Sequence, residues 1–348
     1  MTKRMMYAFD HIPVTLSSTG GNVSAYCDFP FTYAPSGGLN ATTGGTMSDS
    51  DGVWLASNAY YYNTVTSMGQ WSHPISNVLD ITKARNWIGF RFKPSSTYIG
   101  NPFGCTVNGV NLALLAISDF SWTSGHNYYI EVMIDHVNQT RSVWVDGSLV
   151  VNAQAVSLAG QVSSDKLIFG FSAGITGNTS CTYQYKDMYF MDDPNDGSVS
   201  RLGPIISRPI TINTASGNGW TPSSGSIIGA LNTAINTSTP STPNIASAND
   251  GTPLAMTLAS TVDQGVAVHG VLFVASGERN SGTGTMLRST LADQATPANQ
   301  STLNALQFSN TAFQYGRTMG FTPFAPDGST WNATKIAAMN LSSVASAT

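Results

Sequence analysis

From Tyr128 to Asp135 apolar and polar residues alternate, and Tyr128, Ile130, Val132 and Ile134 share one face of an extended chain, whose side chains repeat every second residue. The stretch predicts a strand. The polar run Asn138-Gln139-Thr140-Arg141 interrupts it, Val143 and Val145 resume the alternation, Asp146-Gly147 supplies a tight turn, and Leu149 to Val151 open a third short strand. An antiparallel meander is expected. Upstream, Trp87, Gly89, Arg91 and Lys93 fall on one face of a strand, with Ile88, Phe90 and Phe92 on the other. Leu112 to Ser118, a continuous apolar run between Asn111 and Asp119, has the length of a buried strand. Lys166 to Phe171 and Tyr183 to Met191 add two more, the second ending in a turn from Asp192 to Gly197.

The flanks are less regular. Gly20-Gly21, Pro35, Gly37-Gly38 and Gly44-Gly45 punctuate short apolar pieces near the start, so strands there are brief. In the last third, Val266 to Ala275 is the clearest strand, and Met286-Leu287-Arg288 is expected to pair with it across the loop from Gly277 to Gly284. Trp331 to Asn340 predicts a short helix capped by Thr330 or Asn332. Thr237 to Pro253 is rich in Pro, Thr, Ser and Asn and receives no assignment. Short strands separated by turn residues are the pattern of an all-β sandwich, not of βαβ units.

Composition agrees. Only 10% of residues are charged, against roughly 25% in an average protein. At 348 residues two domains are expected, and a net charge of -4 offers no basic footprint for nucleic acid. No secretory leader is evident behind Lys3-Arg4, and no apolar run reaches the ~20 residues that span a bilayer. A soluble chain made in a cytoplasm is the expectation. Cys27, Cys105 and Cys181 are odd in number and widely spaced, which suits buried free thiols better than a disulfide framework or a zinc site.

The succession Trp87-Ile-Gly-Phe-Arg-Phe, Leu114-Leu-Ala-Ile, Tyr129-Ile-Glu-Val, Val143-Trp-Val-Asp-Gly and Lys186-Asp-Met-Tyr-Phe-Met-Asp192 resembles a concanavalin A-like lectin/glucanase (laminin G-type) jelly roll over residues 1–212. Beyond it come Leu202-Gly203-Pro204, Trp220-Thr221-Pro222-Ser223 and a late Pro326-Asp-Gly-Ser-Thr-Trp331. Together these resemble uncharacterised structural proteins of tailed bacteriophages. That resemblance implies a virion protein, synthesised and assembled in the host cytoplasm, in a tail, baseplate, fibre or capsid-decoration position. Its partners would be other virion proteins and further copies of itself, with a trimer favoured by analogy.

Candidate chemistry is sparse. Glucanases of the resembled fold carry carboxylates spaced Glu-x-Asp-x-Glu on one strand face, because glycoside cleavage needs an acid/base and a nucleophile on opposite sides of the bond. Here the match is Glu131-Val-Met133-Ile-Asp135, with methionine in the middle, and the one other glutamate is Glu278. Asp135 and Asp146 suit turn and strand-edge roles. No Gly-x-Ser-x-Gly elbow, His-Glu-x-x-His pair or phosphate-binding glycine loop occurs, and His11, His73, His126, His136 and His269 are scattered. No catalytic residue, cofactor site or metal site is assigned, although laminin G-type modules often hold calcium at a rim, and a structural calcium ion is allowed by that resemblance.

Aromatic residues concentrate at Trp54, Tyr60, Tyr61, Tyr62 and Trp71. They suit core and subunit-interface packing, or stacking on sugar rings in a host-glycan receptor. The expectation is thus an all-β protein: a concanavalin A-like sandwich over 1–212, a connection near 203–218, and a smaller β-rich C-terminal domain over 213–348 that anchors or oligomerises. It is a non-enzymatic virion component without membrane insertion; a carbohydrate-binding host-receptor protein is the alternative, and a glycosidase-like protein with incomplete carboxylates comes third.

Overall fold

In a computed structural model of the chain, residues 4–7, 32–36, 44–49, 52–62, 65–95, 101–171, 180–193, 200–208, 210–232, 245–247, 250–259, 262–277, 285–308 and 314–347 are described. Side chains are described from Trp71 onward, except those of 171, 180–181, 250, 276, 314–318 and 347. Contacts divide the chain into two units, the first running to Ile206 and the second from Ser207, with small exchanges near the N-terminus.

The first unit holds β1 (Arg4–Tyr7), β2 (Thr32–Ser36), β3 (Gly44–Asp49), β4 (Gly52–Tyr62), β5 (Val65–Pro74), a single helical turn α1 (Ile75–Val78), β6 (Arg85–Pro94), β7 (Asn101–Val107), β8 (Val110–Leu115), β9 (Tyr128–Asp135), β10 (Thr140–Val145), β11 (Ser148–Ala155), β12 (Lys166–Phe171) and β13 (Ser180–Asp193). The strands pair in the order β11-β10-β9-β6-β13-β4-β5-β12-β7-β8, with β1, β2 and β3 attached to β13, β5 and β4, and every pairing is antiparallel.

Ring contacts show that this strip folds over on itself. Phe90 of β6 lies 5.6 Å from Phe169 of β12 and 5.3 Å from Phe103 of β7. Four ladder steps separate β6 from β12, which in a flat sheet would be roughly 19 Å. The two halves therefore face each other as a sandwich, and all three rings are fully buried. Each such ring contributes about 1.5–3 kcal/mol by leaving water.

The alternation read from the sequence holds through this core. Tyr128, Ile130, Val132 and Ile134 are buried together with Ile88, Phe90 and Phe92 and with Val143 and Val145. Asp146 (φ 49°) and Gly147 (φ 83°) make the tight turn between β10 and β11. One expectation needs correction: the apolar run from Leu112 to Ser118 is not a single buried strand. Its first part is the end strand β8, with Leu112 and Ala113 half-buried, and Ile117–Asp119 turn away as a short 3-10 helix. The Asp119 carboxylate starts that turn by accepting the Ala116 N–H at 2.7 Å. The expected turn after Met191 lies mostly outside the described residues, β13 itself reaching Asp193.

The second unit is also β-rich. It holds β14 (Thr211–Ser216), β15 (Trp220–Pro222), α2 (Ile227–Asn232), β16 (Ile245–Ser247), β17 (Asp250–Ala259), β18 (Val271–Gly277), β19 (Thr285–Asp293), β20 (Gln300–Thr302), β21 (Leu306–Phe308), β22 (Gln314–Thr322), α3 (Ala333–Ala337) and β23 (Met339–Ala347). The main sheet runs β14-β17-β23-β19-β20, with β21 also paired to β19, while β15-β16 and β18-β22 are separate two-stranded sheets. Leu291, Trp331, Ile336 and Met339 lie at the centre of its core.

Four expectations change here. Met286-Leu287-Arg288 does not pair with the strand around Phe273: β19 runs against β23 over nine residues, and β18 takes β22 instead. The nine-residue register outweighs the proximity of a short loop. Val266 to Gly270 stays outside the strand, with one bridge from Val268 to Trp331, and Gly270 is needed where the Phe321 ring would lie 2.3 Å from any Cβ. The stretch read as a connection contains β14, which belongs to the second unit's sheet. The C-terminal helix does form, with Asn332 accepting the Lys335 N–H at 2.9 Å, but from Met339 the chain is a strand. Among the described residues no helix is long and apolar enough to cross a membrane.

Candidate functional site

Opposite the core, the second face of β6, β9, β10 and β13 carries Glu131, the first carboxylate of the spacing noted in the sequence. Cross-strand register sets Trp144, Glu131, Gly89 and Tyr189 in one row, with Trp87 level with Met133 and Met191 in the next. Gly89 lacks a side chain for a reason. A Cβ there would stand 2.0 Å from the Tyr189 ring, so glycine lets that ring lie across the row and bring its hydroxyl to Glu131.

Glu131 is 1% exposed and fully engaged. The Tyr189 hydroxyl donates to Oε1 at 2.7 Å, the Gly203 N–H donates to the same oxygen at 2.8 Å, and Arg201 Nη1 reaches Oε2 at 2.9 Å. Burial, and then the charge of Glu131, push the Tyr189 phenol far above its ordinary range, so it stays a proton donor. Gly203 presents its N–H from a left-handed backbone, φ 76°, that suits glycine.

Two of those three donors belong to residues 200–206, a segment without strand or helix that passes over this face. Leu202 and Ile205 pack on the cluster of Trp87, Tyr129, Tyr189 and Met191, and the Leu202 N–H approaches the Tyr189 oxygen at 3.4 Å. Arg201 stands 5.6 Å from the centre of the Trp144 ring, a cation-π distance. Trp144, half-buried, lies 5.4 Å from Trp87 at a 33° tilt. The Trp87 ring is 7% exposed, and its Nε1–H has no hydrogen-bond partner among the described residues.

The other candidate carboxylates have structural work. Asp135 accepts the N–H groups of Val137 and Asn138 at 3.0 and 2.8 Å and pairs with Arg85 at 3.3 Å. Burial alone would raise its pKa; the Asn138 and Arg85 contacts outweigh this and hold it below the ordinary value. Asp146 fixes its turn by accepting the Tyr129 N–H at 2.8 Å. Glu278 lies outside the described residues, as does the Pro194 to Gly197 part of the turn expected from Asp192. Among the described residues no group of three or more His, Cys, Asp or Glu is arranged to hold a metal ion.

Of the aromatic candidates, Trp54, Tyr60, Tyr61 and Tyr62 lie on β4, whose side chains are outside the described set. Trp71 is 1% exposed and packs in the sandwich core, so its ring has no face to offer a sugar or a neighbouring subunit. The aromatic pair at the sheet surface is instead Trp87 with Trp144. Their strand positions were legible, since both sit on the polar face of alternating segments, but Gly203 was read as the start of a connection and Arg201 received no assignment. Cys105 is a buried free thiol, pushed up to about 12 by burial and by the charge of Asp165.

No protein-family model matches the chain, and no curated protein is similar to it in sequence. Among solved structures it is similar to the cellulose-induced protein Cip1, at 10% identity and a TM-score of 0.34 over 51% of this chain and 96% of that one. It is also similar to domain 4 of AbnA, a GH43 extracellular arabinanase from Geobacillus stearothermophilus, at 12% identity and 0.33 over 55% and 93%. A basic winged bean lectin gives 10% identity and 0.33 over 55% and 99%. Likenesses this distant carry no functional argument; the all-β class rests on the strands and sheets described above.

Proposed function

We propose that the chain is a non-enzymatic recognition protein whose β-sandwich unit binds carbohydrate. The surface at Trp144 carries this reading: a half-buried indole, paired with Trp87 at 5.4 Å, with the polar Arg201 side chain beside it. Sugar rings are recognised by apolar faces against aromatic side chains and by a few placed polar groups at the edge. The engagement of Glu131 by three internal donors supports the absence of hydrolysis, because a glycosidase needs two carboxyl groups that reach the scissile bond. Retention on immobilised cellulose, arabinan and mannan tests the proposal. Wild type is expected to be held by at least one, and Trp144→Ala to weaken that by about tenfold, equivalent to ~1.4 kcal/mol. Retention by none overturns it, and so does oligosaccharide cleavage that Glu131→Gln abolishes.

A second reading, a tailed-phage virion component working through protein-protein contacts, is supported by the 10% charge content and by exposed apolar side chains such as Val110 and Ile206, 71% and 58% exposed. Such a surface suits burial between copies. Quantitative mass spectrometry of purified virions decides it: many copies per particle are expected, and complete absence sinks it.

A further inference from the structure

We infer that residues 200–206 form a releasable strap, held shut by the Glu131 carboxylate, that covers the Trp87 and Trp144 face; this rests on the carbohydrate reading above. The strap is attached unlike any strand around it. Its backbone joins no ladder, and its N–H contacts to the sheet run to side chains, Gly203 to Glu131 at 2.8 Å and Leu202 to the Tyr189 hydroxyl at 3.4 Å. Arg201 adds the ion pair with Glu131 at 2.9 Å. One carboxylate thus takes both principal polar ties of the segment, and Tyr189 orients that carboxylate from the sheet side at 2.7 Å.

What the strap covers is aromatic and incompletely satisfied. Leu202 and Ile205 close over Trp87, Tyr129, Tyr189 and Met191. The Trp87 Nε1–H, on a side chain only 7% exposed, lacks a partner among the described residues while the strap is closed. A buried donor without an acceptor costs free energy in the closed state, and a ligand oxygen arriving there would recover it. Opening would also free the Trp144 face now occupied by the Arg201 guanidinium. The occupant for such a face is a flat ring bearing hydroxyl groups, a sugar unit. Access is then governed by the fraction of molecules with the strap open, so loosening the clasp raises apparent affinity.

Hydrogen exchange on the full chain tests the strap separately from the ligand. Glu131→Gln keeps the shape and an acceptor for Tyr189 and Gly203 but deletes the ion pair; Tyr189→Phe keeps the ring over Gly89 and deletes the orienting donor. Both are expected to speed exchange at Leu202, Gly203 and Ile205 by about tenfold, with the amides of Trp87 to Phe92 unchanged. Both should also raise retention on whichever of immobilised cellulose, arabinan or mannan holds the wild type. Unchanged exchange in the strap overturns the clasp, and so does exchange that rises equally through β6, because the sheet itself would then have loosened. Faster strap exchange without a gain in retention overturns its role as a cover for sugar. Failure of the carbohydrate reading shows differently, as wild type held by none of the three glycans.

Discussion

Arg141 of β10 and Asp119, in the turn after β8, meet as a two-pronged ion pair, Nη1 to Oδ2 at 2.5 Å and Nη2 to Oδ1 at 3.0 Å. The two strands stand eight ladder steps apart in the folded strip, and Nη1 also donates to the Leu114 carbonyl at 2.6 Å. Gln154 of β11 accepts from the same guanidinium. One side chain thereby fastens both ends of the sandwich, where, among the described residues, neither end strand has a ladder partner on its outer edge. Both side chains are under a tenth exposed. Arg141→Met should therefore leave a buried carboxylate without its cation and cost about 3–5 kcal/mol. Arg141→Met with Asp119→Leu should recover a large part of that loss. Urea denaturation followed by tryptophan fluorescence measures both, and a single-variant loss below about 1 kcal/mol would mean that the pair does not hold the ends together.

Gly89 is a second test of packing. Because the Tyr189 ring occupies the place of a Cβ, Gly89→Ala forces the ring aside or bends β6. Overpacking of this kind costs about 1–3 kcal/mol, and here it should also pull the Tyr189 hydroxyl from Glu131. The expected result is a lower denaturation midpoint together with loss of the Tyr189 hydroxyl resonance protection in a Gly89→Ala sample. Wild-type stability in that variant would show that the row has slack.

Acid sensitivity should centre on Asp165. It accepts from Thr106 Oγ1 at 2.8 Å and from the N–H groups of Val162, Gly109 and Asn108 at 2.9, 3.1 and 3.2 Å, joining the β7–β8 turn to the loop before β12. Burial alone would push its carboxyl up; these donors outweigh burial and hold it below the ordinary value of 3.8. A folded-state pKa below the unfolded one stabilises the fold above the unfolded value, and that contribution disappears as pH falls through the folded one. The urea midpoint should thus fall below about pH 4, beneath a shallower decline that sets in below the ordinary 6.5 of His136, whose imidazole burial holds neutral in the fold. Asp165→Asn should begin lower and fall less steeply, though not flat, since Asp135 is shifted in the same direction. Parallel acid profiles for variant and wild type would remove Asp165 as the cause.

Much of the sandwich was legible because its strands are half-buried, and a two-residue period reports directly which face meets the core. Trp87 to Lys93 and Tyr128 to Asp135 are of this kind. What failed were inferences about partners. Period says nothing about which strand lies alongside, so Met286 to Arg288 was given the neighbour across a short loop, when the C-terminal strand offered a longer register. Arg141 looked like part of a polar interruption because a buried guanidinium has no local signature; its reason lies 22 residues back, at Asp119. Glu131 invited a catalytic reading by spacing alone, and its partners Tyr189, Arg201 and Gly203 are 58, 70 and 72 residues away. For Trp71 both core packing and sugar stacking fitted its aromatic neighbours along the chain, and its burial agrees with the packing reading.

Cys105 offers a probe of whether the β7–β12 half of the sandwich opens. The thiol is fully buried on β7, and burial, reinforced by the Asp165 charge, raises it to about 12. Alkylation proceeds through the thiolate, which at pH 8 would be only about one part in ten thousand of this group. Native protein treated with iodoacetamide at that pH should leave the Cys105 peptide unmodified, while protein in denaturing guanidinium is labelled completely; peptide mass spectrometry separates this site from Cys27 and Cys181. Asp165→Asn removes one of the two causes of the raised pKa and loosens the adjoining turn, so it should speed labelling in the native state. Labelling of the native wild type at the denatured rate would mean that β7 separates from its neighbours readily, and that the sandwich is held from its Arg141 end alone.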